Sequence, residues 1–161
     1  SDLHAGQLVD RVGVAMGLPF PSGPALEKLA VQADNNNHYR IPAAINLPNI
    51  SFSGAETRAI QMYQQGIPEA EVAAAVLRVV AKTVEKALLG IEHQKQANKV
   101  LLVGGVMANH LIRRRIIDRL EHPAVGLKLY FAESGLSSDN AVGVAYLALL
   151  LHENSSQELK D

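Results

Sequence analysis

The chain has 161 residues, 48% of them hydrophobic and 19% charged, and carries 15 basic against 16 acidic side chains for a net charge of −1. That length fits one domain with a real core, that composition argues against disorder, and the charge balance excludes a general electrostatic pull toward nucleic acid or anionic membrane. With no cysteine, disulfides, zinc fingers, iron–sulfur ligation and thiol catalysis are all excluded.

The elements are predicted in chain order. Asp2 to Met16 reads as a helix, with Leu3, Leu8, Val9, Val12 and Met16 at three- and four-residue steps and Gly17 to end it. Asp10 falls on this helix among apolar neighbours, and partial burial would oblige it to meet an internal ion pair or a ligand hydroxyl. Pro24 suits the first position of a second helix, through about Ala33. Residues 34–49 are polar and irregular and read as the longest loop. "ISFSG" is a short extended run, and Ser53 and Glu56 have the spacing of a capping box before a helix to about Gln65. Pro68 opens the longest helix, to about Gly90 or beyond, on a stripe of Val72, Val76, Val80, Val84, Leu88 and Ile91.

Near the end the order is strand (Val100–Val103), helix (Met107–Leu120), strand (Leu127–Phe131) and a final apolar helix (Asn140–His152) before a polar tail. A parallel βαβ unit with a right-handed crossover follows from that order. Two strands make only a small sheet, so either the domain is mostly helical or the rest of its sheet lies in sequence not present here. No apolar run is long enough to span a bilayer, and the start has no signal-peptide pattern. The chain opens without Met, and its motifs favour a piece cut from a longer protein.

Gly104-Gly105 stands at the carboxyl end of a strand and before a helix, where open α/β sheets bind ligands. Glycine admits close backbone approach, and the helix N-terminus offers free N–H groups, so a nucleotide or phosphate would suit the place; a tight turn is the alternative. Asn109 is a candidate to point its amide at a ligand or simply a surface helical residue. Asp139 either caps the last helix or holds a metal. No histidine pair has metal-ligand spacing. Arg113, Arg114 and Arg115 point about 100° apart on a helix and cannot share one patch; a solvated face is the plain reading, and RNA phosphate contact the functional one.

Five blocks then line up in order. "SDLHAGQLVDR", "MGLPFPSGPALEKLA", "ISFSGAET", "LLVGGVMANHLIRRR" and "SSDNAVGVA" resemble motifs of the tRNA threonylcarbamoyladenosine transferase family, long labelled O-sialoglycoprotein endopeptidase or glycoprotease. The resemblance implies an α/β fold: the C-terminal part of an actin-like ATPase (ribonuclease H-like) fold, mostly helical with a small parallel sheet. Residues 1–153 would be its C-terminal lobe and 154–161 a tail. It implies that ATP or threonylcarbamoyl-adenylate is bound, with Asp10, Gly23, Gly104, Gly105 and Asn109 against the nucleotide. Asp139 would be one ligand of a divalent metal, iron or zinc, completed by histidines outside this chain. It implies tRNA and the partner proteins of that pathway as partners, a cytoplasmic location, and for the isolated piece exposed strand edges that favour self-association.

Four residues depart from the family motifs. Gln7 stands for Glu, Arg11 for Lys, Ser22 for the first of two glycines, and Glu56 for Lys. Two functions therefore compete: a transferase moving threonylcarbamoyl from its adenylate to adenosine N6 in tRNA, or a non-catalytic ATP-binding paralogue acting as a scaffold. The peptidase of the old label finds neither a nucleophile–base pair nor a complete zinc site in this chain.

Overall fold

The computed structural model describes residues 3–34, 39–46, 49–95 and 98–132. Helix α1 (Ala5–Ala15) buries Leu8, Val9 and Val12 on the predicted face. Its start is set by Gln7, whose Oε1 accepts from the His4 amide at 3.0 Å. The family's Glu would do the same, so the exchange to Gln keeps the back-cap without the charge. Helix α2 (Gly23–Ala30) follows with Pro24 in its first turn, and buries Leu26 and Ala30.

Two short antiparallel strands pair, β1 (Ile45–Asn46) inside the stretch expected to be irregular loop and β2 (Asn49–Ile50) at its end, entering the run expected to be extended. Helix α3 (Ser53–Gln64) begins one residue earlier than a Ser53 cap requires: Phe52 is the N-cap, and the Ser53 Oγ lies 3.1 Å from the Ser51 Oγ. The expected capping box is not formed. Glu56 instead reaches α1, where its carboxylate lies 3.5 Å from the Arg11 guanidinium. Two departures from the family motifs thus meet each other across α1 and α3. Arg11 is more than half exposed, so the pair contributes at most about 1 kcal/mol.

Helix α4 (Glu69–Lys95) is the spine. Val72, Val76 and Val80 are fully buried at four-residue steps, each worth about 1.5–3 kcal/mol of apolar burial. Ala73, Ala75 and Ala81 are buried beside them and keep its flanks thin. Helices α1, α2 and α3 all pack on it.

The chain then enters β3 (Lys99–Leu102), a 3-10 turn (Gly105–Ala108), helix α5 (His110–Leu120) and β4 (Lys128–Phe131). Strands β3 and β4 pair in parallel, Lys99 opposite Lys128 through Leu102 opposite Phe131, and make the expected small βαβ sheet. Helix α5 docks on α4 through Ile112, Ile116 and Leu120. The opposite face of the sheet is open: Leu101 is 67% and Tyr130 43% exposed. The three consecutive arginines diverge as their spacing requires. Arg113 lies over the Phe131 ring, 4.2 Å from its centre, Arg114 pairs weakly with Asp118, and Arg115 approaches Glu85 at 3.5 Å. Among the described residues no helix is long and apolar enough to cross a membrane.

Candidate functional site

The N-terminal ends of α2 and α5 and the middle of α1 converge on one cavity of about 520 Å³, within the range that holds small-molecule ligands. It is lined on one side by Asp10, Gly23 and Glu27, on the other by Gly105, Asn109 and His110, with Leu77 of α4 behind them. Of the residues singled out from sequence, Asp10, Gly23, Gly105 and Asn109 are brought together here. Gly104 is adjacent in the chain but not part of the wall, and Asp139 lies outside the described residues.

Each polar residue is held by a structural bond as well. Asp10 Oδ1 accepts the Ser22 amide at 2.8 Å, an answer that neither ion pair nor ligand hydroxyl anticipated. It anchors the start of α2 to α1. Ser22 itself is fully buried, and its Oγ donates to the Pro19 carbonyl at 3.0 Å, so the serine standing for a family glycine is bonded in place. Directly opposite is Gly13: a Cβ there would come within 2.2 Å of Ser22 Cβ.

On the far wall Asn109 is the N-cap of α5, with extended backbone and its Oδ1 accepting from the Ile112 amide at 3.0 Å. The helix expected from Met107 is therefore broken in two, a 3-10 turn and then α5, because the cap needs a non-helical residue. That cap assigns the amide's oxygen inward and leaves only its Nδ2 to offer a ligand. The two glycines do different things. Gly104 has φ 105° and ψ 156°, a conformation that only glycine adopts readily, whereas Gly105 is not in that region and has open space where a Cβ would stand.

Glu27 is the residue that sequence reading missed. Its Oε1 accepts from the His110 amide at 2.7 Å, joining α2 to the first turn of α5 across 83 positions of sequence. The helix N-terminus expected to receive a phosphate thus already holds a carboxylate. No local pattern marks such a contact; an acidic residue one turn into a Pro-started helix was the only available signal. Among the described residues no group of three or more His, Asp or Glu side chains is arranged to hold a metal ion.

Comparison with known proteins supplies the family. Residues 1–146 match the family described as TsaD: tRNA N6-adenosine threonylcarbamoyltransferase. The enzyme of that name from Thermus thermophilus is 34% identical, over 94% of this chain and 46% of its own length. That of Prochlorococcus marinus is 30% identical over 92% of this chain and 45% of its own, and that of Archaeoglobus fulgidus 29% over 97% and 47%. The chain therefore spans about half the length of the curated relatives it matches. The crystal structure of T. kodakarensis HypF superposes with a TM-score of 0.70 over 92% of this chain and 20% of that one, at 21% identity, a likeness of fold alone. The fold is the C-terminal part of an actin-like ATPase fold, and the chain belongs to the tRNA N6-adenosine threonylcarbamoyltransferase family.

Proposed function

We propose that this chain is the nucleoside-holding half of a transferase that moves a threonylcarbamoyl group from threonylcarbamoyl-adenylate to N6 of an adenosine in tRNA. The observation that carries it is the pairing of Asp10 and Glu27 in one wall of the cavity with Gly105 and the Asn109 amide in the other. Carboxylates accept from hydroxyl and amine donors and repel phosphate. The cavity therefore suits the adenosine end of the adenylate, its ribose hydroxyls toward Asp10 and Glu27 and a base acceptor toward Asn109 Nδ2. The phosphate and the acyl group would point away, toward the half that the family resemblance places upstream. In the reaction the N6 amine forms a bond to the carbamoyl carbon, the bond from that carbon to the phosphate oxygen breaks, AMP leaves, and one amine proton passes to solvent. This chain's contribution is orientation of the donor, which converts a loose encounter into a directed one. In the same proposal Asp139 would supply one ligand of a divalent metal; the described residues do not fit a metal by themselves, and no step is assigned to it.

Because Asp10 and Asn109 also hold helices in place, alanine at either would damage the fold together with the site. Asp10→Asn keeps an acceptor for the Ser22 amide, and Asn109→Asp keeps the α5 cap. Titration of the chain with AMP by calorimetry is expected to show binding weakened at least about tenfold by each change, with melting temperatures within a few degrees of the parent, as one lost charged or bidentate contact implies. Unchanged binding in both variants would remove the adenosine assignment. The scaffold reading draws on Glu56, a charge reversal now committed to Arg11. Transfer by the full-length protein, assayed with Glu56→Lys beside the parent, separates the two: a parent inactive with intact nucleotide binding is the scaffold.

A further inference from the structure

On the flank of α4, separated from the adenosine cavity by Leu77, lie two adjoining depressions of about 490 and 320 Å³. Arg78 and Arg115 line both, so they form one groove. Arg114 and Arg119 border one end, and Arg40 and Lys82 the other. These six cations come from three separate parts of the chain and gather on one face of a protein whose net charge is −1. The groove's own acids do not balance them. Glu85 is shared by Arg115 and Arg119 at 3.5 and 3.2 Å, Asp118 meets Arg114 at 3.9 Å, and Asp34 is the further carboxylate of the wall, against six cations. The Arg115 Nε is buried and has no hydrogen-bond partner. Tyr39, an exposed aromatic next to Arg40 in sequence, accepts at its backbone carbonyl from the Arg78 guanidinium at 3.3 Å.

We infer that this groove receives the phosphate backbone of an RNA. Five of the six cations are arginines, whose planar fork matches phosphate oxygens in pairs and is weakly hydrated. A concave cationic track with an aromatic at its edge is the pattern of backbone binding with a base stacked beside it. A lipid surface would ask instead for bulky apolar side chains exposed among the cations; of the groove's apolar lining, Val31, Leu77, Leu111, Ile41 and Val79, only Val31 is exposed. That the RNA is a tRNA rests on the transfer reading above; that it is RNA rests on the charge and shape of the groove.

The test uses a fluorescently labelled, unmodified tRNA transcript and the whole 161-residue chain. Anisotropy is followed while salt is raised from about 50 to 200 mM, where backbone contacts weaken steeply. The groove variant is Arg40→Gln with Lys82→Gln and Arg114→Gln, three exposed residues whose loss leaves the Glu85 pairs intact. Lys99→Gln with Lys128→Gln removes exposed charge from the open side of the sheet and serves as the control. The expected result is binding by the parent and the control. The groove variant should lose at least about tenfold in affinity, with a salt slope shallower by about two to three. Three results would overturn the inference: no binding by the parent, equal loss in groove variant and control, or displacement of the tRNA by polyglutamate at matched charge, which would mark the groove as a dock for acidic protein. AMP titration of the same variants keeps the two proposals apart. Nucleotide binding without RNA binding sinks the groove alone, and RNA binding without nucleotide binding sinks the adenosine site alone.

Discussion

Gly13→Ala is expected to be the most damaging single methyl in the protein. The new Cβ would lie 2.2 Å from Ser22 Cβ and 2.6 Å from Ser22 Oγ. Neither is the loose end of a flexible chain: Ser22 is fully buried, its amide bound to Asp10 and its hydroxyl to Pro19. Relief requires α1 and α2 to move apart, which opens the adenosine cavity's near wall. Overpacking of this kind costs about 3 kcal/mol or more. For a chain of this size that is a fall of roughly 6–12 °C in melting temperature. Ser22→Gly, which installs the residue of the family motif, takes away both clashing atoms. The double variant Gly13→Ala with Ser22→Gly should recover most of the loss, a coupling of about 1–3 kcal/mol. Thermal melts of the four proteins read this directly. A single variant that melts with the parent, or a double variant no better than the single, would mean that the two helices are not locked by this contact.

The double glycine gives the second large effect, and it splits. At Gly104 a Cβ has nothing within 4 Å to strike, so alanine there is penalised only by the backbone conformation, φ 105° with ψ 156°. That region costs a non-glycine residue about 1–3 kcal/mol. Gly105 also has free space but lies outside the glycine-only region, and its free space is the cavity. Gly105→Ala should therefore hold or slightly raise stability, by reducing the freedom of the unfolded chain, while its methyl weakens AMP binding. Gly104→Ala should lower the melting temperature and, by shifting the turn that carries Gly105 and Asn109, weaken AMP as well. Melts and titrations on both variants suffice. Stability lost at Gly105 and kept at Gly104 would reverse the assignment of roles.

Much of the fold was legible because it rests on local periodicity. Val72, Val76 and Val80 announce α4 at any reading, and an apolar run, a helix and a second apolar run can hardly be other than the parallel pair β3–β4. Strand β1 was not legible, two residues in an irregular stretch with no alternation to betray them, whereas β2 reaches Ile50, the start of the run read as extended. The Ser53–Glu56 spacing misled, because the Ser53 amide that Glu56 would cap donates to the Ser51 Oγ, and the Glu56 carboxylate turns to Arg11 across α1 and α3. In the site, position on the predicted elements marked Asp10, Gly105 and Asn109, the family resemblance alone added Gly23, and the fold gathered those four. What stayed hidden was how each is occupied in the free protein. Asp10 meets a backbone amide, Asn109 caps a helix, and Glu27 fills the anion position from 83 residues away. Contacts of that separation leave no trace in spacing. The three arginines show the same limit: their divergence follows from helix geometry, whereas the gathering of Arg114 and Arg115 with Arg40, Arg78 and Lys82 belongs to tertiary packing.

Leu77 is part of the wall of both the adenosine cavity and the arginine groove. One buried side chain is thus a partition between two chambers, and any displacement of it enlarges one at the expense of the other. Should a nucleoside on one side and an RNA strand on the other favour different positions of that partition, each would alter the other's affinity, and by the same factor in both directions.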